Sequence, residues 1–195
     1  WLNLGVSGGD SKRLEVQVPR ALAGDLSRIS VYTASGTLQT ADFAAREISL
    51  KTVSGGIEAS NLSAGRLALN STSGTIRGEG LEGTERLEAG NVSGKTALAG
   101  VRAGTLKISS TSGTIEAEGA AASADCGSVS GAVSLTMQTW AEETAISTVS
   151  GGVTLRGPET EAGFTCRYST VSGDMTCGFN VKQSGSEYIA GKGEA

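Results

Sequence analysis

The fold class this sequence predicts is all-β: a single-stranded parallel β-helix, or β-solenoid, with coils of about 19 residues. Three observations carry the prediction. A Ser-Gly dipeptide recurs at near-constant spacing, the residues flanking it alternate apolar and polar with period two, and the composition suits tight turns around a thin aliphatic core. Glycine numbers 29 and proline 2, while aromatics make up only 4% of a chain that is 38% hydrophobic. Collagen would need glycine at every third position, and a disordered chain would lack the regularly placed Val, Ile and Leu.

The dipeptides are Ser7-Gly8, Ser35-Gly36, Ser54-Gly55, Ser73-Gly74, Ser93-Gly94, Ser112-Gly113, Ser130-Gly131, Ser150-Gly151 and Ser172-Gly173. From Ser35 onward the intervals are 19, 19, 20, 19, 18, 20 and 22 residues. Each dipeptide reads as a corner, where Gly tolerates positive φ and the Ser hydroxyl can bond nearby backbone.

Ahead of each corner runs a strand. Six residues before each Ser stand Ile29, Ile48, Leu67, Leu87, Leu106, Ala124, Thr144 and Cys166. Four before stand Val31, Leu50, Leu69, Ala89, Ile108, Cys126, Ile146 and Tyr168. Polar residues fall between them, as in a strand that buries one face. A third inward set, two before each Ser, is short and hydrogen-bonding: Thr33, Thr52, Ser71, Asn91, Ser110, Ser128, Thr148 and Thr170. It reads as an internal polar ladder that satisfies turn backbone groups coil after coil.

Behind each corner a second strand begins. Two residues past the Gly come Leu38, Ile57, Ile76, Thr96, Ile115, Val133, Val153 and Met175, and two further on Thr40, Ala59, Gly78, Leu98, Ala117, Leu135, Leu155 and Cys177. Each unit is thus expected to be two short strands. On the outward face, Glu88, Lys107 and Asp125 follow one another on successive coils with Arg167 beyond, an alternation that keeps the surface wet.

One domain over 1–195 is expected, divided into an irregular first coil or cap (1–34), regular coils (35–177) and an irregular C-terminal cap (178–195). The first part holds the strand-like run Leu14, Val16, Val18 before Pro19. Near Trp140 the pattern bulges, which predicts a surface loop. Right-handed winding is the general preference for parallel crossovers. An open end coil would allow end-to-end self-association, so the chain is expected as a monomer or as such a stack.

With these residues in view, the chain resembles the bacterial adhesin-type family of β-strand repeats, whose members have unknown or loosely assigned function. The resemblance rests on Thr-Val-Ser-Gly-Gly-Ile at 52–57, Thr-Ser-Gly-Thr-Ile at 72–76 and 111–115, and Thr-Val-Ser-Gly at 148–151 and 170–173. Val-Gln-Val-Pro at 16–19 looks like that family's opening strand, and the match covers roughly 14–180. It implies a repeat scaffold in the bacterial envelope behind a membrane anchor, in some members beside envelope-stress regulators. It brings no catalytic residues. A chain beginning at Trp1 fits a trimmed or mature form, with any anchor upstream.

Chemistry is sparse. There is no histidine, which excludes Ser-His-Asp and Cys-His catalysis and most zinc sites. Gly191-Lys192-Gly193 lacks the rest of a phosphate-binding loop, and the calcium-binding nonapeptide is absent. The three cysteines, Cys126, Cys166 and Cys177, lack zinc-pair spacing and read as small buried hydrophobes, with a Cys166–Cys177 disulfide left open. The net charge is −4 without a basic stripe, which argues against nucleic acid. No cofactor or metal is expected.

The binding candidates are Glu58, Arg77 and Glu116, which fall in one outward column, and Trp140, either a contact residue or a cover for the core beside Met137. Glu79 and Glu118 share a second column. A polysaccharide-cleaving β-helix would use such carboxylates on either side of a glycosidic bond. The reading reached is a non-enzymatic, extracytoplasmic β-solenoid serving adhesion or display toward a surface glycan or protein. A stress-sensing ectodomain is the first alternative and the polysaccharide-cleaving enzyme the second.

Overall fold

The computed structural model describes residues 3–7, 13–18, 26–158, 164–177, 182–184 and 187–190, and among these all regular structure is strand. The chain is a parallel β-solenoid of about seven turns. A two-stranded antiparallel hairpin, β1 (Asn3–Ser7) with β2 (Arg13–Gln17), precedes it and forms a sheet of its own. The stack then runs β3 (Leu26–Ser35), β4 (Leu38–Ser54), β5 (Ile57–Ser73), β6 (Ile76–Glu79), β7 (Glu82–Ser93), β8 (Thr96–Ser112) and β9 (Ile115–Ser130). It continues with β10 (Val133–Thr139), β11 (Glu143–Ser150), β12 (Val153–Arg156), β13 (Phe164–Ser172) and β14 (Met175–Cys177). Finally β15 (Lys182–Ser184) pairs antiparallel with β16 (Glu187–Ala190), and β16 pairs antiparallel with β13. Regular stacking already starts at Leu26, opposite Ala45, before the first full Ser-Gly coil.

The register is that of the repeat. Ser35 pairs with Ser54, Ser54 with Ser73, Ser73 with Ser93 and Ser93 with Ser112, then Ser112 with Ser130. Ile48, Leu50, Leu67, Leu69, Leu87, Leu106 and Ile108 are almost wholly buried and stack as ladders, joined across the corner by Ile57, Ile76, Ile115, Val133 and Val153. The corner glycines from Gly36 to Gly151 each donate their amide to the Ser carbonyl of the next coil, as in Gly55 N to Ser73 O at 2.9 Å.

Four details depart from the expectations. First, the strands are not two short pieces per coil. β4, β5 and β8 each run 17 residues, because the ladder continues around a second bend. That bend is marked by positive φ at Asp42 (59°), Asn61 (50°), Gly80 (60°) and Gly100 (63°). It carries the chain onto a third side, where Phe43, Leu62, Leu81 and Val101 supply another inward row.

Second, the polar ladder is buried from Thr52 to Thr148 and half-buried at Thr33 and Thr170, and it is only partly bonded to the turns. Asn91 Nδ2 donates to Gly74 O at 2.8 Å, Ser71 Oγ to Gly55 O at 3.3 Å, and the half-buried Thr33 to Ser35 O at 2.7 Å. The hydroxyls of Thr52, Ser110, Ser128, Thr148 and Thr170 have no partner within the chain. Side-chain length accounts for Asn91 alone, since Thr33 and Ser71 make their bonds with hydroxyls, Thr33 to a carbonyl of its own strand. The amide of Asn is an atom further out than a hydroxyl, and Ser71 already reaches to the limit of a hydrogen bond.

Third, the corner Ser side chains from Ser54 to Ser172 are exposed and make no hydrogen bond. Glycine is required there for a different reason from conformational freedom alone. A Cβ on Gly74 would collide with the carbonyl oxygen of Gly55, and one on Gly131 with that of Gly113. Stacked corners approach too closely for any side chain.

Fourth, the break near Trp140 is no extended loop. It is confined to residues 140–142 between β10 and β11, with a register shift between Met137 and Thr139.

The charged column is also rearranged. Lys107 pairs with Asp125 across adjacent coils at 3.4 Å, whereas Glu88 pairs with Arg86 of its own strand and Arg167 with Glu143 of the neighbouring coil.

Cys126 and Cys166 are buried. The side chain of Cys177 lies outside the described residues, and so does the proposed bridge to it. The C-terminal boundary at 178–195 falls largely outside them as well. No described helix is long and apolar enough to cross a membrane.

Candidate functional site

The side of the solenoid just past the corner carries a trough of about 680 Å³. Two outward columns line it. The first runs Glu58, Arg77, Ala97, Glu116 and Ser134, paired strand to strand through β5, β6, β8, β9 and β10. The second runs Ser60, Glu79, Ala99, then Glu118 and Thr136 beyond the register shift that follows Leu98. The trough exists because Ala97 and Ala99 interrupt both columns at one coil. With methyl groups on the floor, the longer side chains of the coils on either side become walls.

Both walls are charged. Glu58, Arg77 and Glu79 stand on one, Glu116 and Glu118 on the other, and all five are exposed. Two strand spacings, about 10 Å, separate the walls. Some of these groups are already engaged: Glu58 accepts from Gln39 Nε2 at 2.9 Å, Glu116 pairs with Lys95 at 2.6 Å, and Glu118 accepts from Gln138 Nε2 at 3.4 Å. Among the described residues, Arg77 and Glu79 have neither an ion-pair nor a hydrogen-bond partner, and both are exposed to solvent.

The structure therefore brings Glu58, Arg77 and Glu116 together along one side of the molecule, and adds Glu79 and Glu118. It does not bring Trp140 to them. That indole packs against Gly157, donates Nε1 to Pro158 O at 3.0 Å, and is partly buried against the core. Of the two roles weighed for Trp140, this geometry is the covering one. Tyr168 is likewise in the core, with its hydroxyl 3.4 Å from Gly173 O. Trp1 and Phe179 lie outside the described residues.

Two features escaped the sequence reading. The αL column Asp42, Asn61, Gly80, Gly100 sets the far end of the trough side, and its signal was present: Asp, Asn and Gly are the residues that adopt this conformation most readily. Asn61 Nδ2 also donates to Asp42 Oδ1 at 3.0 Å, stitching successive bends. The second feature is a row of exposed β-branched residues beside the corner, Val53, Val92, Val129, Val149 and Val171. No group of three or more potential metal ligands exists among the described residues.

Fold and surface together define a class: a parallel β-solenoid with mixed-charge troughs on its lateral sheets, the one at Arg77 and Glu79 and another of about 610 Å³ lined by Glu47, Arg66, Glu85, Arg86 and Glu88. A family model, Toastrack DUF4097, matches residues 1–194. The chain belongs to that family, a domain family of unknown function. No curated protein and no solved structure matches the chain.

Proposed function

We propose that this chain is a non-enzymatic binding scaffold of the bacterial envelope, an adhesin-type module displayed outside the cytoplasm. Its ligand is a surface glycan or protein, held along the trough between Arg77–Glu79 and Glu116–Glu118. A repeat scaffold in a family of unknown function is consistent with this reading. The observation that carries it is the pair Arg77 and Glu79. A cation and an anion stand two residues apart on the wall of this trough, neither with a partner among the described residues. Exposed ionic groups are common on solenoids, and some of those here are neutralised by a neighbouring coil, as Arg28 by Glu47 at 2.6 Å and Lys95 by Glu116. Others, such as Arg102 and Arg156, have no such partner among the described residues; what sets Arg77 and Glu79 apart is their shared place on the wall of the trough. A rigid sheet holds the two in fixed relation, which limits the ordering cost of binding.

The test is an array of cell-wall glycans, acidic polysaccharides and extracellular matrix proteins, read for binding and for shortened polysaccharide. The proposal expects saturable binding without cleavage. It expects that binding to be lost both in Arg77→Glu, which reverses the charge, and in Ala99→Trp, which fills the trough. Binding that survives both substitutions would place the ligand elsewhere. Shortened product would overturn the non-enzymatic reading and turn attention to Glu79 and Glu118 as facing carboxylates.

A further inference from the structure

The buried polar ladder contains a stretch that the chain leaves unsatisfied. Asn91, Ser110, Ser128 and Thr148 are direct partners on successive parallel strands, and each is 7% exposed or less. The side-chain oxygens of all four lack a hydrogen-bond partner in the protein. Thr96, fully buried across the same corner from Asn91, carries another such hydroxyl. A buried polar group without a partner costs about 1–3 kcal/mol. A column of them would consume much of the roughly 5–15 kcal/mol by which a domain is stable. Valine or alanine would fill the same positions without that cost, so something must satisfy these oxygens.

Geometry indicates what. Equivalent atoms on adjacent strands lie about 4.8 Å apart, too far for a direct O–H···O bond of about 2.8 Å. One water placed about 2.8 Å from each of two oxygens with that separation subtends an angle near 118°, close to tetrahedral. The repeat of a parallel sheet therefore matches one bridging water per interval. Buried waters typically make about three hydrogen bonds, and the corner carbonyls nearby offer a third partner. Above Asn91 the pattern differs, because Ser71 and Asn91 themselves reach the carbonyls of Gly55 and Gly74.

We propose that a single file of internal water molecules is bound beneath the Ser-Gly corner from Asn91 to Thr148, one water between each pair of successive ladder side chains. The file hydrogen-bonds coil to coil and is a structural ligand of the solenoid. It accounts for why the column is polar in a core built mainly of aliphatic residues.

A crystal structure at about 1.5 Å, with a cut-off set by the need to place water, tests this on the unmodified protein. Expected is one ordered oxygen in each interval, at 2.6–3.2 Å from both flanking side chains. Thr148→Val, which keeps the shape but removes the hydroxyl, should remove the water between positions 128 and 148. Ser109→Ala, at an exposed neighbouring position, should leave the file intact. Continuous direct bonding of the ladder oxygens to one another or to corner carbonyls, with no density between coils, would overturn the proposal. So would density with five or more oxygens at about 2.4 Å, the signature of a metal cation.

Discussion

The carbonyl oxygen of Gly55 lies over the Cα of Gly74 so closely that a Cβ on Gly74 would overlap it. The same contact recurs between Gly94 and Gly113 and between Gly131 and Gly151. Each corner is thus seated on the backbone of the one before it. Gly74→Ala should therefore cost at least about 3 kcal/mol, since backbone must move on two coils. Gly152→Ala, where nothing lies within 4 Å of the added carbon and φ is unexceptional, should be nearly neutral. Urea titration of both variants checks the contrast.

The second bend makes a graded prediction. Asn61 sits at φ 50° and donates to Asp42. Asn61→Ala should cost about 1–2 kcal/mol, combining αL strain with the lost hydrogen bond. Asn61→Gly should cost less, because glycine keeps the backbone conformation and loses only the bond. Equal losses in the two variants would show that the bend is not strained by φ.

Trp140 covers the core and holds the chain at Pro158. Trp140→Ala should destabilise by about 2 kcal/mol, less than a fully buried tryptophan because the ring is only partly covered. Trp140→Phe should recover most of this and forfeit the bond of about 1 kcal/mol. Neither should alter ligand affinity at the trough. A selective loss of binding with unchanged stability would return Trp140 to the contact surface.

Burial pushes the Cys126 thiol up to about 12 from 9.0, with Asp125 adding to the effect. The native thiol is then neutral at pH values where the unfolded chain is ionised. The unfolded state binds fewer protons above pH 9, so stability is fully present below that pH and falls as pH rises toward 12. The slope is at most about 1.4 kcal/mol per pH unit. Wild type should lose more stability over that window than Cys126→Ala, measured by denaturant midpoints at pH 8 and 10.5. Native Cys126 should also resist alkylating reagents that modify it once the chain is unfolded.

The repeat was legible in particular residues because it is local and periodic. Ile48, Leu50 and Ile57 declare which face of each strand is buried, and Ser54-Gly55 declares the corner between them. The second bend was harder to read because three residue types, Asp42, Asn61 and Gly80, serve one conformation. A search for identical letters passes over them. The trough was half-visible: Glu58, Arg77 and Glu116 could be placed in one column by counting. What turned that column into a concavity was the pair of alanines at 97 and 99, whose effect depends on the length of their neighbours.

By itself the sequence determined the class of fold, the register of the coils and the identity of the inward rows. Each of these follows from alternation along one strand and from a spacing that repeats. Only the tertiary structure decided the rest. It showed that corner glycines are held by the coil beneath them and that most ladder hydroxyls fall short of the turns. It also showed Trp140 turned in against Gly157 rather than out. These are contacts between atoms on different coils, set by distances of a few tenths of an ångström. A pattern of residue types along one chain carries no information at that scale.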